Sequence, residues 1–201
     1  MAASILQFYA GAATKISGRT LESHKSAFTY TVKEPVGVVA AIVPWNFPLS
    51  TTAWKLAPAL ATGNSVILKP ATVTPLSGLK LTEAFMEAGL PSGVLQCITG
   101  YGAVLGDALV EDPRVRMVSF TGGVEAGERI MSRVGLKKIG MELGSNSPVV
   151  VWHDADIEWA AETCVSGAFW AAGQNCIGVQ RIYVHRQVYD RFRQLFVDRT
   201  A

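Results

Sequence analysis

The feature that most constrains the fold is an apolar run, Gly37-Val38-Val39-Ala40-Ala41-Ile42-Val43, which contains no polar side chain. A strand of this kind is buried on both faces, as in a parallel sheet covered by helices. Further strands are predicted at 66–68, 94–98, 115–120 and 138–141, and helices at 50–62, 75–88, 102–110 and from 124 onward. This alternation predicts an α/β fold with a doubly wound, Rossmann-like parallel sheet that binds its ligands at the carboxyl ends of the strands.

The sequence predicts four segments along the chain. Residues 1–18 form a leading helix, and residues 19–35 form a hairpin whose strands, at 19–21 and 27–32, flank a polar turn. Residues 36–142 form a dinucleotide-binding domain. Residues 143–201 then start an incomplete second α/β layer, with strands at 148–152 and 179–184 and helices at 156–172 and 187–199.

Composition and charge exclude several classes of protein. The net charge is only +2 and the basic residues are scattered, so we expect no nucleic-acid partner. The three cysteines and three histidines show no metal-ligand spacing, so we expect no metal and a reducing compartment. The start lacks the pattern of a signal peptide and no apolar stretch reaches membrane-spanning length. These features predict a cytoplasmic protein with no membrane partner.

A cysteine beside two glycines is the candidate nucleophile. Cys176 closes the run Gly173-Gln174-Asn175-Cys176, and Gly178 follows it. Glycines allow backbone amides to approach a reacting carbonyl closely, and a thiolate is an effective nucleophile where it is partly exposed. Taken alone, a cysteine after so apolar a segment is more often an inert packing residue. We assign that inert role to Cys97 and Cys164.

Polar residues follow two of the predicted strands at the edge where ligands bind. Asn46 lies between Pro44 and Pro48, and a rigidly held amide can donate to an oxyanion. The alternative is an asparagine that bonds the backbone of its own turn. Lys69 follows the next strand, where it can contact ribose or phosphate oxygens, or can simply be a solvated lysine at a strand end.

Two further motifs lie at later strand ends. Gly122 and Gly123 join a strand to a helix N-terminus, an arrangement that can receive a pyrophosphate, although a Gly-Gly turn is weak evidence by itself. Glu142 ends the strand before the second layer. It is either a surface or capping glutamate, or a general base if it faces Cys176.

Together these motifs closely resemble the aldehyde dehydrogenase superfamily in order and spacing. They are Pro-Trp-Asn-Phe-Pro at 44–48, Lys69, Phe-Thr-Gly at 120–122, Glu-Leu-Gly at 142–144 and Gly-Gln-Asn-Cys at 173–176. The resemblance covers the whole chain. It implies the aldehyde dehydrogenase fold in truncated form, since family members are longer at both ends.

The resemblance also implies a reaction and a set of roles. The family oxidises an aldehyde to a carboxylic acid with NAD or NADP through a cysteine thiohemiacetal and thioester. Cys176 would be the nucleophile, Glu142 the general base, and Asn46 an oxyanion donor together with the backbone amide of Cys176. The residues implied along the dinucleotide are Trp45, Lys55, Lys69, Thr72, Gly122, Gly123 and Leu143. The hairpin would correspond to the arm through which family members form homo-oligomers.

Two points separate this chain from the family pattern. Many relatives carry a glutamate at the position of Thr72, where it bonds the adenosine ribose and repels a 2′-phosphate, so threonine predicts acceptance of NADP. The alternative is that Thr72 only caps the following turn. Later family motifs are absent from these 201 residues, so a catalytically inactive remnant that binds nucleotide or a longer subunit is the other functional hypothesis. A relative that passes the acyl group to coenzyme A is disfavoured because Glu142 is present to activate water.

Overall fold

The computed structural model describes residues 1–23 and 26–201, which form two compact units, Met1–Glu142 and Leu143–Ala201. The elements of the first unit are α1 (Ala2–Ala13), β1 (Arg19–Leu21), β2 (Thr29–Thr31), β3 (Val38–Ile42), α2 (Pro48–Ala61), β4 (Ser65–Lys69), α3 (Leu76–Glu87), β5 (Leu95–Cys97), α4 (Asp107–Glu111), β6 (Val115–Thr121), α5 (Val124–Met131) and β7 (Lys138–Glu142). Those of the second unit are β8 (Pro148–Val151), α6 (Ile157–Phe169), β9 (Arg181–Val184) and α7 (Tyr189–Thr200).

A parallel sheet of five strands forms the centre of the first unit, in the order β5-β4-β3-β6-β7. The chain moves outward from β3 through β4 to β5, and then crosses to the other side of β3 for β6 and β7. The direction of winding therefore reverses between β3 and β6, and a ligand crevice is expected at the carboxyl ends beside that point. The doubly wound sheet predicted from the sequence is confirmed.

The apolar run that predicted β3 is buried from Val39 to Val43. Val39, Ala40, Ala41 and Val43 are each at most 4% exposed, because helices cover both faces of the sheet. Helix α2 packs on this strand through Ala53, Leu56 and Ala57. Pro58 lies inside α2 but does not end the helix, which continues to Ala61.

Two predicted helices differ from those observed. In place of the helix predicted at 102–110, Gly102–Gly106 form a π-helical turn and α4 begins only at Asp107. Gly102 and Gly106 are poor helix formers. The helix predicted at 156–172 ends at Phe169 instead, and the chain then turns into left-handed backbone.

The hairpin pairs β1 with β2 in antiparallel register, Arg19 opposite Thr31. Residues 24 and 25 of the predicted hairpin lie outside the described residues. The exposed apolar side chains on and beside its strands include Leu21, Phe28 and Tyr30.

The second unit pairs β8 with β9 in parallel, from Pro148 opposite Arg181 to Val151 opposite Val184. Helices α6 and α7 pack on each other, and a core that includes Val151, Cys164 and Phe192 lies between these elements. Nowhere in the described chain is there a helix with the length and apolar character needed to span a membrane.

Candidate active site

The polar residues singled out in the first unit share the carboxyl edge of its sheet. Lys69 and Glu142 are the last residues of β4 and β7, and Lys69 pairs with Ile42 at the end of β3. Gly122 follows β6, whose Thr121 pairs with Glu142. Asn46 lies four residues beyond the end of β3. Parallel strands thus bring these predicted residues to one edge.

Asn46 is half-buried in the turn before α2. Its Oδ1 accepts a hydrogen bond from the backbone N–H of Phe47 at 3.1 Å, which is the self-bonding that the sequence left open. That bond uses the amide oxygen and fixes the plane of the group, so a role as donor belongs to Nδ2. Beside it, Trp45 is 48% exposed, and its carbonyl accepts from the Thr74 hydroxyl at 3.4 Å.

Lys55 on α2 forms a hydrogen bond to β6 and interacts electrostatically with Glu142 at the end of β7. Its Nζ donates to the Ser119 hydroxyl at 2.9 Å. Burial lowers the pKa of Lys55 to about 8, while the negative charge of Glu142 opposes part of that shift. No local sequence pattern indicates Ser119 as a partner of Lys55 or the Lys55–Glu142 interaction, since both join residues that are far apart in the chain.

We expect Lys55 to lose its proton with a pKa near 8 rather than near 10.5. Burial removes water that stabilises the ammonium, so the neutral amine is favoured already at mildly alkaline pH. Carbon-13 NMR of protein labelled at lysine Cε measures this titration directly. Glu142→Gln should lower the pKa of Lys55 further, because the carboxylate raises it. Lys80, whose pKa Glu83 raises, is the control. Titration of Lys55 near 10.5 would contradict the prediction.

Lys69 is buried, not solvated. Only 4% of the residue is exposed, its Nζ donates to the Pro70 carbonyl at 3.1 Å, and burial lowers its pKa. The interpretation as a solvated lysine is therefore wrong. Thr72 is exposed, and its hydroxyl donates to the Gly100 carbonyl at 3.1 Å, a bond to the segment that follows β5.

The glycine turn joins β6 to α5 as predicted. The Gly122 N–H donates to the Glu142 carbonyl at 3.1 Å, and a Cβ on Gly122 would lie 2.4 Å from Cζ of Phe120. Only glycine therefore fits there without a shift of the Phe120 ring. Gly123 is extended and has no side chain, so it does not cap the first backbone amides of α5. Helix α5 begins directly after this edge, so these amides lie where an anion could bind. Glu125 in the first turn opposes an anion there.

The three cysteines of the chain differ in environment. Cys176 is exposed, Cys97 is half-buried and Cys164 is 4% exposed. Burial raises the pKa of both Cys97 and Cys164, so these two thiols stay protonated and pack as small apolar residues. Cys176 belongs to the second unit and is the one exposed thiol of the chain.

We expect iodoacetamide at neutral pH to alkylate Cys176 at least about 10-fold faster than either other cysteine, because the reagent reacts with accessible thiolates. Peptide mass spectrometry of the folded protein at several times gives the three rates. Cys176→Ser serves as the control and should remove the fast phase. Equal, slow labelling of all three thiols would contradict the prediction.

Left-handed backbone precedes Cys176. Ala171 has φ 53° and ψ 37°, Ala172 has φ 56° and ψ 32°, and Gly173 has φ 73°. Left-handed conformation costs a residue with a Cβ about 1–2 kcal/mol, so two successive alanines in it must be held by surrounding contacts. We call residues 170–176 the nucleophile loop, after the role that we propose for Cys176.

The sequence model of the aldehyde dehydrogenase family matches residues 1–201. This chain belongs to the aldehyde dehydrogenase family. It is 52% identical, over 177 residues, to aspartate-semialdehyde dehydrogenase 1 of Pseudomonas canavaninivorans, an alignment that covers 88% of this chain and 37% of that aldehyde dehydrogenase. The resemblance inferred from the motifs is confirmed.

Solved aldehyde dehydrogenase structures share the fold. The NADP-dependent glyceraldehyde-3-phosphate dehydrogenase of Bacillus halodurans C-125, complexed with NADP, is 40% identical with a TM-score of 0.93, covering 98% of this chain and 43% of that chain. The NAD+ complex of the Bacillus cereus aldehyde dehydrogenase is 40% identical with a TM-score of 0.95, covering 98% and 41%. The chain therefore spans less than half the length of these relatives.

Proposed function

We propose that this chain carries the catalytic cysteine, the general base and part of the dinucleotide site of an enzyme that oxidises an aldehyde to a carboxylic acid with NAD or NADP. The observation that carries the proposal is the exposed Cys176 at the end of a strained loop, in a chain whose other two cysteines are packing residues. Family membership and the polar edge of the first unit's sheet support it.

The residues of the first unit suit a dinucleotide. The buried ammonium of Lys69 at the end of β4, the turn at Gly122 and Gly123 and the uncapped start of α5 supply positive charge and amide donors at the edge where α/β sheets bind nucleotides. We assign Trp45, Lys55 and Leu143 to the same site. The nicotinamide cofactor, when bound, accepts a hydride from the substrate carbon.

The chain's own residues supply the rest of the reaction. The Cys176 thiolate forms a bond to the aldehyde carbon, and the carbonyl oxygen gains the negative charge. Asn46 Nδ2 and the Cys176 backbone N–H donate to that oxygen, each contributing about 3 kcal/mol in comparable sites. Loss of the hydride leaves a thioester on Cys176. Glu142 takes a proton from water, whose oxygen attacks the thioester carbon, so that the carboxylic acid leaves and the thiolate returns.

Absorbance at 340 nm tests this function in the full-length protein. We expect a panel of aldehydes with NAD+ or NADP+ to give a rise in absorbance that depends on both the aldehyde and the cofactor. The same assay of the 201-residue chain distinguishes the inactive-remnant hypothesis, which expects nucleotide binding without turnover. No oxidation of any aldehyde by the full-length protein would contradict the proposal.

Cofactor choice is a separate prediction. We expect the full-length enzyme to use NADP at least as well as NAD, because the neutral Thr72 hydroxyl does not repel a 2′-phosphate and Lys69 ends β4, the strand that Thr72 follows. Thr72→Glu should shift kcat/KM toward NAD by about 10-fold or more. Val73→Glu adds the same charge at an exposed neighbour and is the control.

Two results would count against this cofactor argument. One is a wild type that strongly prefers NAD, and the other is a Thr72→Glu enzyme whose preference does not move. In either case the bond from Thr72 to the Gly100 carbonyl would be its main role.

We also propose that the full-length enzyme is a homo-oligomer that uses the β1–β2 hairpin as an arm. The exposed Leu21, Phe28 and Tyr30 side chains support this, because apolar side chains on one small hairpin favour contact with another protein surface.

A further inference from the structure

Asn175, the residue before Cys176, is buried although its side chain is polar. It is 6% exposed, and its Nδ2 donates to the Trp170 carbonyl at 3.1 Å. This bond links the two ends of the nucleophile loop across its left-handed residues. Between Trp170 and Asn175, the Gln174 N–H donates to the Ala171 carbonyl at 3.1 Å. The Asn175 side chain is therefore a clamp on the strained part of the chain.

The backbone of Asn175 is fixed as well. Its carbonyl accepts from the Gly178 N–H at 3.4 Å. In a trans peptide the C=O and the next N–H point in opposite directions, so this bond sets the direction of the Cys176 N–H. That N–H is the backbone oxyanion donor of the proposed reaction.

Gly178 also encloses the Asn175 amide. A Cβ on Gly178 would lie 3.2 Å from Nδ2 and 3.3 Å from Oδ1 of Asn175. Such distances are tighter than an ordinary Cβ contact, so any larger residue would press on the amide. The carboxamide is thus held between the Trp170 carbonyl and the turn that follows Cys176.

Burial of the Asn175 side-chain amide carries a free-energy penalty. Asn175 Oδ1 is buried and has no hydrogen-bond partner among residues 1–23 and 26–201. An unpartnered buried acceptor is destabilising, and an apolar side chain of the same shape would avoid that penalty. Stability alone therefore does not account for an asparagine here, whereas the donor group Nδ2 has a defined use.

We propose that Asn175 is a positioning residue for Cys176: its bond to Trp170 holds the nucleophile loop so that the thiol and the Cys176 N–H are presented together. This inference rests on the proposed function of Cys176. Asn175 touches neither the substrate nor the cofactor in this role. Its loss should therefore lower kcat and leave binding unchanged.

The test compares Asn175→Leu and Asn175→Asp in the full-length enzyme. Leucine keeps the shape without the amide, and aspartate keeps the shape but lacks the donor to Trp170. We expect each to lower kcat about 10-fold or more, with KM for the aldehyde and affinity for NADP+ within about twofold of wild type. We also expect the alkylation rate of Cys176 to change while those of Cys97 and Cys164 do not. Asn146→Leu, at an exposed asparagine of the same unit, is the matched control.

Gly178→Ala is the second perturbation. It leaves Asn175 chemically intact but crowds its amide, so it should lower kcat in the same way, and it decides the matter if the Asn175 variants do not fold. Wild-type kcat and Cys176 alkylation in the folded variants would overturn the positioning role while the proposed function stands. Failure of the proposed function is recognised separately, by a Cys176→Ala enzyme that keeps its activity.

Discussion

Cys176→Ala is expected to lower kcat of the full-length enzyme by about 10³-fold or more. In the proposed reaction the thiol forms the covalent bond to the aldehyde carbon, so without it no thiohemiacetal forms to lose a hydride. Cys176 is exposed, and removing its Sγ leaves no cavity in the core. The free energy of unfolding should therefore change little, and NADP+ affinity should stay within about twofold of wild type.

Steady-state absorbance at 340 nm measures this effect, and thermal unfolding confirms that the variant is folded. Cys97→Ala and Cys164→Ala are matched controls, because each removes a packing thiol and should alter stability more than kcat. A Cys176→Ala enzyme with more than about a tenth of wild-type kcat would show that the nucleophile lies elsewhere.

Glu142→Gln is expected to slow turnover by about 10²- to 10⁴-fold while leaving the first hydride transfer largely intact. In the proposed reaction Glu142 acts on the water that releases the acid, so the thioester should accumulate in the variant. Glutamine keeps the backbone carbonyl that accepts from Gly122, so the end of β7 should be undisturbed.

Stopped-flow absorbance should then show a burst of about one reduced cofactor per subunit, followed by a slow steady rate. Glu87→Gln, at the exposed end of α3, is the control and should behave as wild type. An unchanged steady rate would refute the role of Glu142. Loss of both the burst and the steady rate would place Glu142 in the first half of the reaction instead.

The sheet was predictable from the sequence because β3 and its neighbours carry local signals that agree with their burial. The apolar run at Val38–Ile42 has no polar face to place in water, and glycines or prolines separate most elements. The nucleophile loop was not predictable in this way. Ala171 and Ala172 favour helix by propensity, and only contacts such as the Asn175–Trp170 bond hold them left-handed.

In the candidate site, too, some features could be predicted from the sequence and others depend on tertiary contacts. Strand ends follow from the alternation of elements, so the sequence alone places Lys69, Glu142 and the glycine turn at one edge. The burial of Lys69 and the bond from Lys55 to Ser119 depend on residues far apart in the chain, and no local pattern encodes them.

The backbone hydrogen bond between Gly122 and Glu142, at the ends of β6 and β7, has a mechanical consequence. Gly122 donates to the carbonyl of Glu142, so the turn assigned to the dinucleotide and the residue assigned to water activation are fastened to each other through one backbone bond. A displacement of the turn is transmitted through this bond to the backbone of Glu142. The hydrogen-exchange rate of the Gly122 amide therefore reports how often the backbone bond to Glu142 opens.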